Sequence, residues 1–165
     1  MLLVQREYKY LKWVVLFFAL TAFFEKSAYA AEKVAKVLRF MSTRSSEINL
    51  RRGPGQQYPV DWKLLKSGYP LLVVAEYGTW RKVKDMEGSE GWVHQGMLSH
   101  KRAGIVTAPT LLYKKMDGRG QALAKVDSKV CVSIKEIKPA WCKVMVGDKV
   151  GWINRNNLWG VLKNE

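Results

Sequence analysis

Few side chains in this sequence can make or break bonds. Two cysteines, Cys131 and Cys142, and two histidines, His94 and His100, are its whole supply of thiol and imidazole. Nucleophilic catalysis needs a thiolate or hydroxyl with a base in reach and a third group to orient that base. Both thiols fall in the last third of the chain and both imidazoles near its middle, and no such set is read from them. The chain is therefore expected to be no enzyme. A metal centre needs His, Cys or carboxylate clusters at ligand spacing, and these four residues do not form one, so neither metal nor cofactor is expected. Cys131 and Cys142 lie eleven positions apart. Two readings stand for them. One is a disulfide, adding about 3 kcal/mol in the chain-entropy model. The other is a pair of small buried apolar side chains that never meet.

Binding chemistry is better supplied than reaction chemistry. Trp and Tyr are large, rigid and half-polar, which suits binding grooves as well as cores. Trp92 and Trp152 each follow a glycine, Gly91 and Gly151, and are read as structural. Trp80 and Trp141 each follow a turn and are read as groove residues, with core packing as the alternative. Tyr58, Tyr77, Arg51 and Arg52 border loops that would rim such a groove. An arginine there would fork onto the carboxylate of a peptide; otherwise it is a solvated loop charge.

The elements that position these residues come in two copies. Residues 80–98 contain Trp80-Arg81-Lys82-Val83, a polar loop, Gly91-Trp92-Val93 and a closing Leu98. Residues 141–158 repeat this as Trp141-Cys142-Lys143-Val144, a loop with Gly147, Gly151-Trp152-Ile153 and Leu158. The loops differ by a single residue, so the chain reads as a tandem of one small module. The first module is placed at residues 45–99 and the second at 105–160, with residues 31–44 as a leader linker in which residues 37–41 could form a first strand of the first module. Within each, five or six short strands are separated by turns every eight to twelve residues, which predicts a small barrel or sandwich. Ile48-Asn49-Leu50-Arg51 alternates as a half-buried strand should. Modules of this size sit near the lower limit for an independent core, so an interface between them is expected rather than a free linker.

The first thirty residues read as a leader. Arg6, Lys9 and Lys12 precede the uncharged apolar run of residues 13–24, and Ala28-Tyr29-Ala30 is a small-x-small cleavage site. That is the layout of a secretory signal peptide cleaved after Ala30, and it predicts a periplasmic or secreted protein. The apolar run would rise only about 18 Å as a helix, short of the ~30 Å hydrocarbon core, so no stable membrane span is expected. The net charge is +14 for the whole sequence and +12 for residues 31–165. Such a charge favours anionic polymers of the cell envelope over nucleic acid in an exported protein. No basic run exceeds two residues, so charge that merely keeps the protein soluble is an equal reading.

Asn49-Leu50-Arg51-Arg52-Gly53-Pro54-Gly55, Lys66-Ser67-Gly68, the apolar residues 71–74, Trp80-Arg81-Lys82-Val83 and Gly91-Trp92-Val93 together resemble the bacterial SH3-like (SH3b) domain. The likeness covers the first module throughout. The second module matches at Trp141, Val144, Gly151, Trp152 and Ile153, but residues 107–115 replace the Asn-x-Arg-x-Gly-Pro turn. The resemblance implies an all-β chain of two tandem SH3-like barrels after a signal peptide. It also implies a non-catalytic binding module that docks on peptidoglycan, through its peptides, or on another cell-envelope component. The alternative is a periplasmic adaptor that binds a protein partner through the same groove.

Overall fold

Short runs of alternating and β-branched residues, cut by glycines and polar turns, give strands almost throughout the computed structural model, which describes residues 37–116 and 118–163. The leader expected over residues 1–30 lies outside the described residues. The first sheet contains β1 (Arg39–Thr43), β2 (Ile48–Arg51), β3 (Val60–Leu64), β4 (Pro70–Tyr77), β5 (Trp80–Lys84), β6 (Glu90–His94) and β7 (Leu98–Ser99). The second contains β8 (Ala103–Val106), β9 (Thr110–Tyr113), β10 (Ala122–Val126), β11 (Cys131–Ile137), β12 (Trp141–Val146), β13 (Lys149–Asn154) and β14 (Leu158–Trp159). Their antiparallel orders, β3-β2-β6-β5-β4-β1-β7 and β10-β9-β13-β12-β11-β8-β14, are one topology used twice. The all-β tandem expected from the repeat is what the chain forms.

Each module closes around its own aliphatic core. Ile48, Leu50, Leu71, Val73, Val83, Val93 and Leu98 fill the first. Leu112, Val132, Ile134, Val144, Ile153 and Leu158 fill the corresponding places in the second. No aromatic ring is among the buried residues of either cluster. Alternation along β6 explains why: Gly91 and Val93 point inward, which turns Trp92 and His94 outward. The glycine before each tryptophan is required by contact. A Cβ on Gly91 would come within 2.7 Å of Leu50 Cβ, and one on Gly151 within 2.7 Å of Leu112 Cγ and of the Tyr113 carbonyl. The sheet thus bends tightly enough for strand backbone to rest on a core leucine.

A second shared device is a single-turn 3-10 helix after the last long strand. His94 accepts from Gly96 N at 3.2 Å, and Asn154 accepts from Asn156 N at 3.0 Å, so each side chain caps its turn. A third is the left-handed residue before β4 and β11. Gly68 (φ 68°) donates its N–H to Thr43 O, and Lys129 (φ 64°) donates its own to Val106 O. The second module accepts a non-glycine at a position where glycine is the unstrained choice.

The two N-terminal strands break the alternation. Residues 40–43 of β1 and all of β8 are buried on both faces. Their outer faces meet the linker and the opposite module. The Phe40 ring stands edge-on to Trp159 at 4.9 Å, Ser42 Oγ donates to Lys101 O at 2.8 Å, and Cys131 Sγ donates to Gly68 O at 3.3 Å. Buried Thr43 is satisfied as well, donating to Lys66 O and accepting from Tyr69 N. Only His100, Lys101 and Arg102 lie between β7 and β8, so the modules are fused rather than tethered.

Two expectations are corrected. The linker assigned to residues 31–44 contains β1, which pairs with β4 from Arg39↔Val73 to Ser42↔Pro70 and also with β7. The first module therefore begins by Arg39, and the second begins at Ala103 rather than at residue 105. The polar residues of β1 are engaged: Arg39 pairs with Glu76, while Ser42 and Thr43 bond backbone carbonyls. The disulfide reading is corrected too, since Cys131 and Cys142 are both free thiols. Cys142 sits near the β11–β12 turn opposite Ile137, six residues from Cys131 along β11. That is roughly 20 Å at a strand's rise per residue, far beyond the ~7 Å Cα limit for a bridge.

Gly91→Ala should lower stability by about 1–3 kcal/mol, the cost of forcing one methyl into a packed core. A urea-unfolding midpoint matching wild type would contradict the contact between Gly91 and Leu50.

Candidate functional site

The outward rows of β2, β6, β5 and β4 form the candidate site. Tyr77 pairs with Trp80 across the β4–β5 hairpin, and Trp80 pairs with His94 across β5–β6. These three side chains make one transverse row. The Trp80 and His94 rings meet edge to face at 5.6 Å. The next row is Arg51, Trp92 and Lys82, set by the registers Arg51↔Trp92 and Lys82↔Trp92. The face is therefore aromatic and cationic together. Tyr77 is 66% exposed, Trp80 and Trp92 are half-buried, and His94 is exposed.

The second module repeats the arrangement. Trp141 pairs with Asn154, and Lys143 with Trp152, which in turn pairs with Tyr113. The Lys143 ammonium lies 5.9 Å from the centre of the Trp152 ring, and Tyr113 meets Trp141 edge-on at 5.8 Å. At the position of Arg51 the second module has Tyr113. Its face keeps three rings, Trp141, Trp152 and Tyr113, and is poorer in charge.

The two arginines expected at the groove are engaged within the protein. Arg51 Nη1 donates to the carbonyls of Gln56 at 3.1 Å and Tyr58 at 2.7 Å, bracing the loop between β2 and β3. The Tyr58 ring lies on Gly53, where a Cβ would come within 2.5 Å of the ring. Arg52 turns to Asp61, with Nε and Nη2 each 3.0 Å from Oδ1. The structure thus brings Tyr77, Trp80 and Arg51 onto one face and ties Tyr58 to its edge through Arg51. Arg52 is held at the β3 side, and Trp141 belongs to the second module.

Three residues of this face escape a motif-based reading: Lys82, His94 and Lys143. Strand alternation carries the signal for them, because Lys82 and Lys143 stand two positions after Trp80 and Trp141, and His94 two after Trp92. Trp92 and Trp152, read above as structural, stand on this outer face beside the lysines. The thiols and imidazoles are dispersed. Cys142 is fully buried in the second core, Cys131 lies at the junction of the modules, and His94 caps a turn. Among the described residues no group of three or more His, Cys, Asp or Glu is placed to hold a metal ion.

Glu90 sets the electrostatics at one end of the face. Its Oε2 lies 2.7 Å from Lys82 Nζ, and its Oε1 lies 3.8 Å from Lys84 Nζ. The hydrogen bond from Lys82 holds the Glu90 carboxyl below the ordinary carboxylate range. A depressed carboxylate contributes stability above its unfolded pKa and loses it as pH falls through the folded one. The pair is solvent-exposed, so its main effect is to steady Lys82 beside Trp92. Lys82→Met should return the Glu90 titration toward the ordinary range, as followed by carboxyl-detected NMR. An unmoved Glu90 titration would contradict this pairing.

The family model described as Bacterial SH3 domain matches residues 44–100 and again residues 108–160. No curated protein matches the chain. Similar solved structures include NlpC2 from Trichomonas vaginalis, at 10% identity and a TM-score of 0.35, with 76% of this chain and 49% of that one covered. NlpC1 from the same organism is similar at 10% identity and a TM-score of 0.34, with 75% and 46% covered. The chain spans about half the length of these proteins.

Proposed function

The chain belongs to the bacterial SH3 domain family, twice over, and on that footing we propose that it is a non-catalytic, exported binding protein that docks on peptidoglycan through the outer faces of its two modules. The observation that carries this reading is the repeated pairing of ring and cation. Trp80, Trp92 and Lys82 share one sheet face in the first module, as Trp141, Trp152 and Lys143 do in the second. Flat rings offer platforms for sugars and apolar peptide atoms, and the ammonium groups suit the carboxylates of wall peptides. A rigid sheet holds both at fixed spacing, which limits the ordering cost of binding. The layout of residues 1–30 supports export, and the charge of +12 over residues 31–165 supports accumulation on an anionic envelope.

A protein partner, bound at the sheet edge beside this face, is the second reading. It is favoured by the edge strand β3, where Val60 and Trp62 are exposed, Trp62 by 59%. An exposed edge with apolar side chains is a template for another strand.

Co-sedimentation of the purified protein with isolated peptidoglycan, at about 0.1 M and 1 M salt, separates these readings; the screening length falls from ~10 Å to ~3 Å between them. Wall docking requires retention at both salts and a loss of about tenfold or more in Trp80→Ala and Trp92→Ala, the size of a central aromatic contact. Retention that vanishes at high salt and ignores both substitutions would leave only bulk charge, and the wall-docking reading would be abandoned.

A further inference from the structure

Where the modules meet, the fold leaves a cavity of about 740 Å³. Its walls come from four separate segments: the end of β1, the turn before β4, the linker and the start of β11. Four cationic residues line it, Arg44, Lys66, Lys101 and Arg102, and no carboxylate does. Some cations elsewhere in this protein are neutralised at short range. Arg39 and Arg81 meet Glu76, Arg52 meets Asp61, and Lys82 meets Glu90. Among the described residues, Arg44, Lys66 and Lys101 have no such partner. Arg102 is fixed by donating to the Gly160 carbonyl at 3.0 Å.

Three carbonyls in these walls are covered by protein donors. Thr43 Oγ1 bonds Lys66 O, Ser42 Oγ bonds Lys101 O, and Cys131 Sγ bonds Gly68 O. The charged groups at the cavity are therefore four cations with no carboxylate among them. Arg44, Lys66 and Lys101 are exposed at its mouth, while Arg102 and Ser133 are half-buried deeper in. Like charges gathered without counter-charge repel one another, and an anionic ligand relieves that repulsion.

We propose that this inter-module cavity is a binding site for a multivalent oxyanion of the phosphate class. A single carboxylate would engage one arginine fork and leave the other cations unanswered. Four cations from three segments suit a ligand bearing several charges, and the volume lies in the range of small-ligand sites. The first module supplies Arg44 and Lys66, the linker Lys101 and Arg102, and the second module Ser133, so the bound ligand spans the seam. The site shares no residue with the outer aromatic faces and is independent of wall docking.

Titration calorimetry of the full chain with inorganic tripolyphosphate, at fixed ionic strength, tests this. Lys66→Gln/Lys101→Gln should weaken binding at least about tenfold and abolish the rise in melting temperature on ligand addition. Lys125→Gln/Lys149→Gln removes the same charge outside the cavity and should bind within about twofold of wild type, as should Trp80→Ala. Equal weakening by the two double substitutions would reduce the effect to net charge and overturn the site. So would wild-type affinity in the Lys66→Gln/Lys101→Gln protein, or no binding by the wild type. Citrate binding as tightly as tripolyphosphate would overturn the phosphate assignment.

Discussion

The approach of the Gly91 backbone to Leu50, repeated by Gly151 and Leu112, sets the thickness of both modules. A strand that rests directly on a core leucine leaves no inner room for a large side chain. The core is accordingly aliphatic, built from Val, Ile and Leu, and the rings are displaced outward. Strand alternation then fixes which rings share a face. Trp92 must point away from Val93, and the register of β5 on β6 places Lys82 opposite it and Trp80 opposite His94. The binding surface follows from the packing constraint, because the same glycine that fits the core turns the next residue to solvent.

Fusion of the modules follows from a second constraint. A module of some sixty residues buries little apolar surface by itself. Here β1 and β8 are covered on both faces, which is unusual for strands of small antiparallel sheets. Phe40 against Trp159 supplies the apolar contact, and Ser42, Thr43 and Cys131 satisfy the carbonyls nearby. The geometry that saves the core thereby creates a cationic cavity at the seam, lined by residues of both halves and of the linker.

The repeat made the architecture legible. Trp80-x-x-Val83 with Gly91-Trp92-Val93, and its echo at Trp141, located the central strands and their order of use. The first strand was only partly legible: residues 37–41 could be read as a strand, but its pairing with β4 and β7 and its extent to Thr43 are given by the register alone. The disulfide was ambiguous for a related reason. A turn at residues 138–140 pairs Ile137 with Cys142, so Cys131 falls at the far end of the hairpin, but only the register shows it. The arginines illustrate the limit of motif reading at a site. Arg51 and Arg52 were placed at the groove by their loop, and the structure shows them bonded to Gln56, Tyr58 and Asp61. Divergence between the modules is equally physical. Arg81, paired with Glu76 in the first, corresponds to Cys142 opposite Ile137 in the second, where an ion pair is exchanged for an apolar contact.

The claim that the outer faces bind is tested most directly by the tryptophan indole N–H resonances during titration with a soluble disaccharide–peptide fragment of peptidoglycan. Of the seven tryptophans, Trp80, Trp92, Trp141 and Trp152 should shift or broaden, while Trp159, packed on Phe40, and Trp62, on the β3 edge, should stay in place. Movement of Trp62 or Trp159 alone, or of none of them at saturating ligand, would contradict recognition by the outer faces.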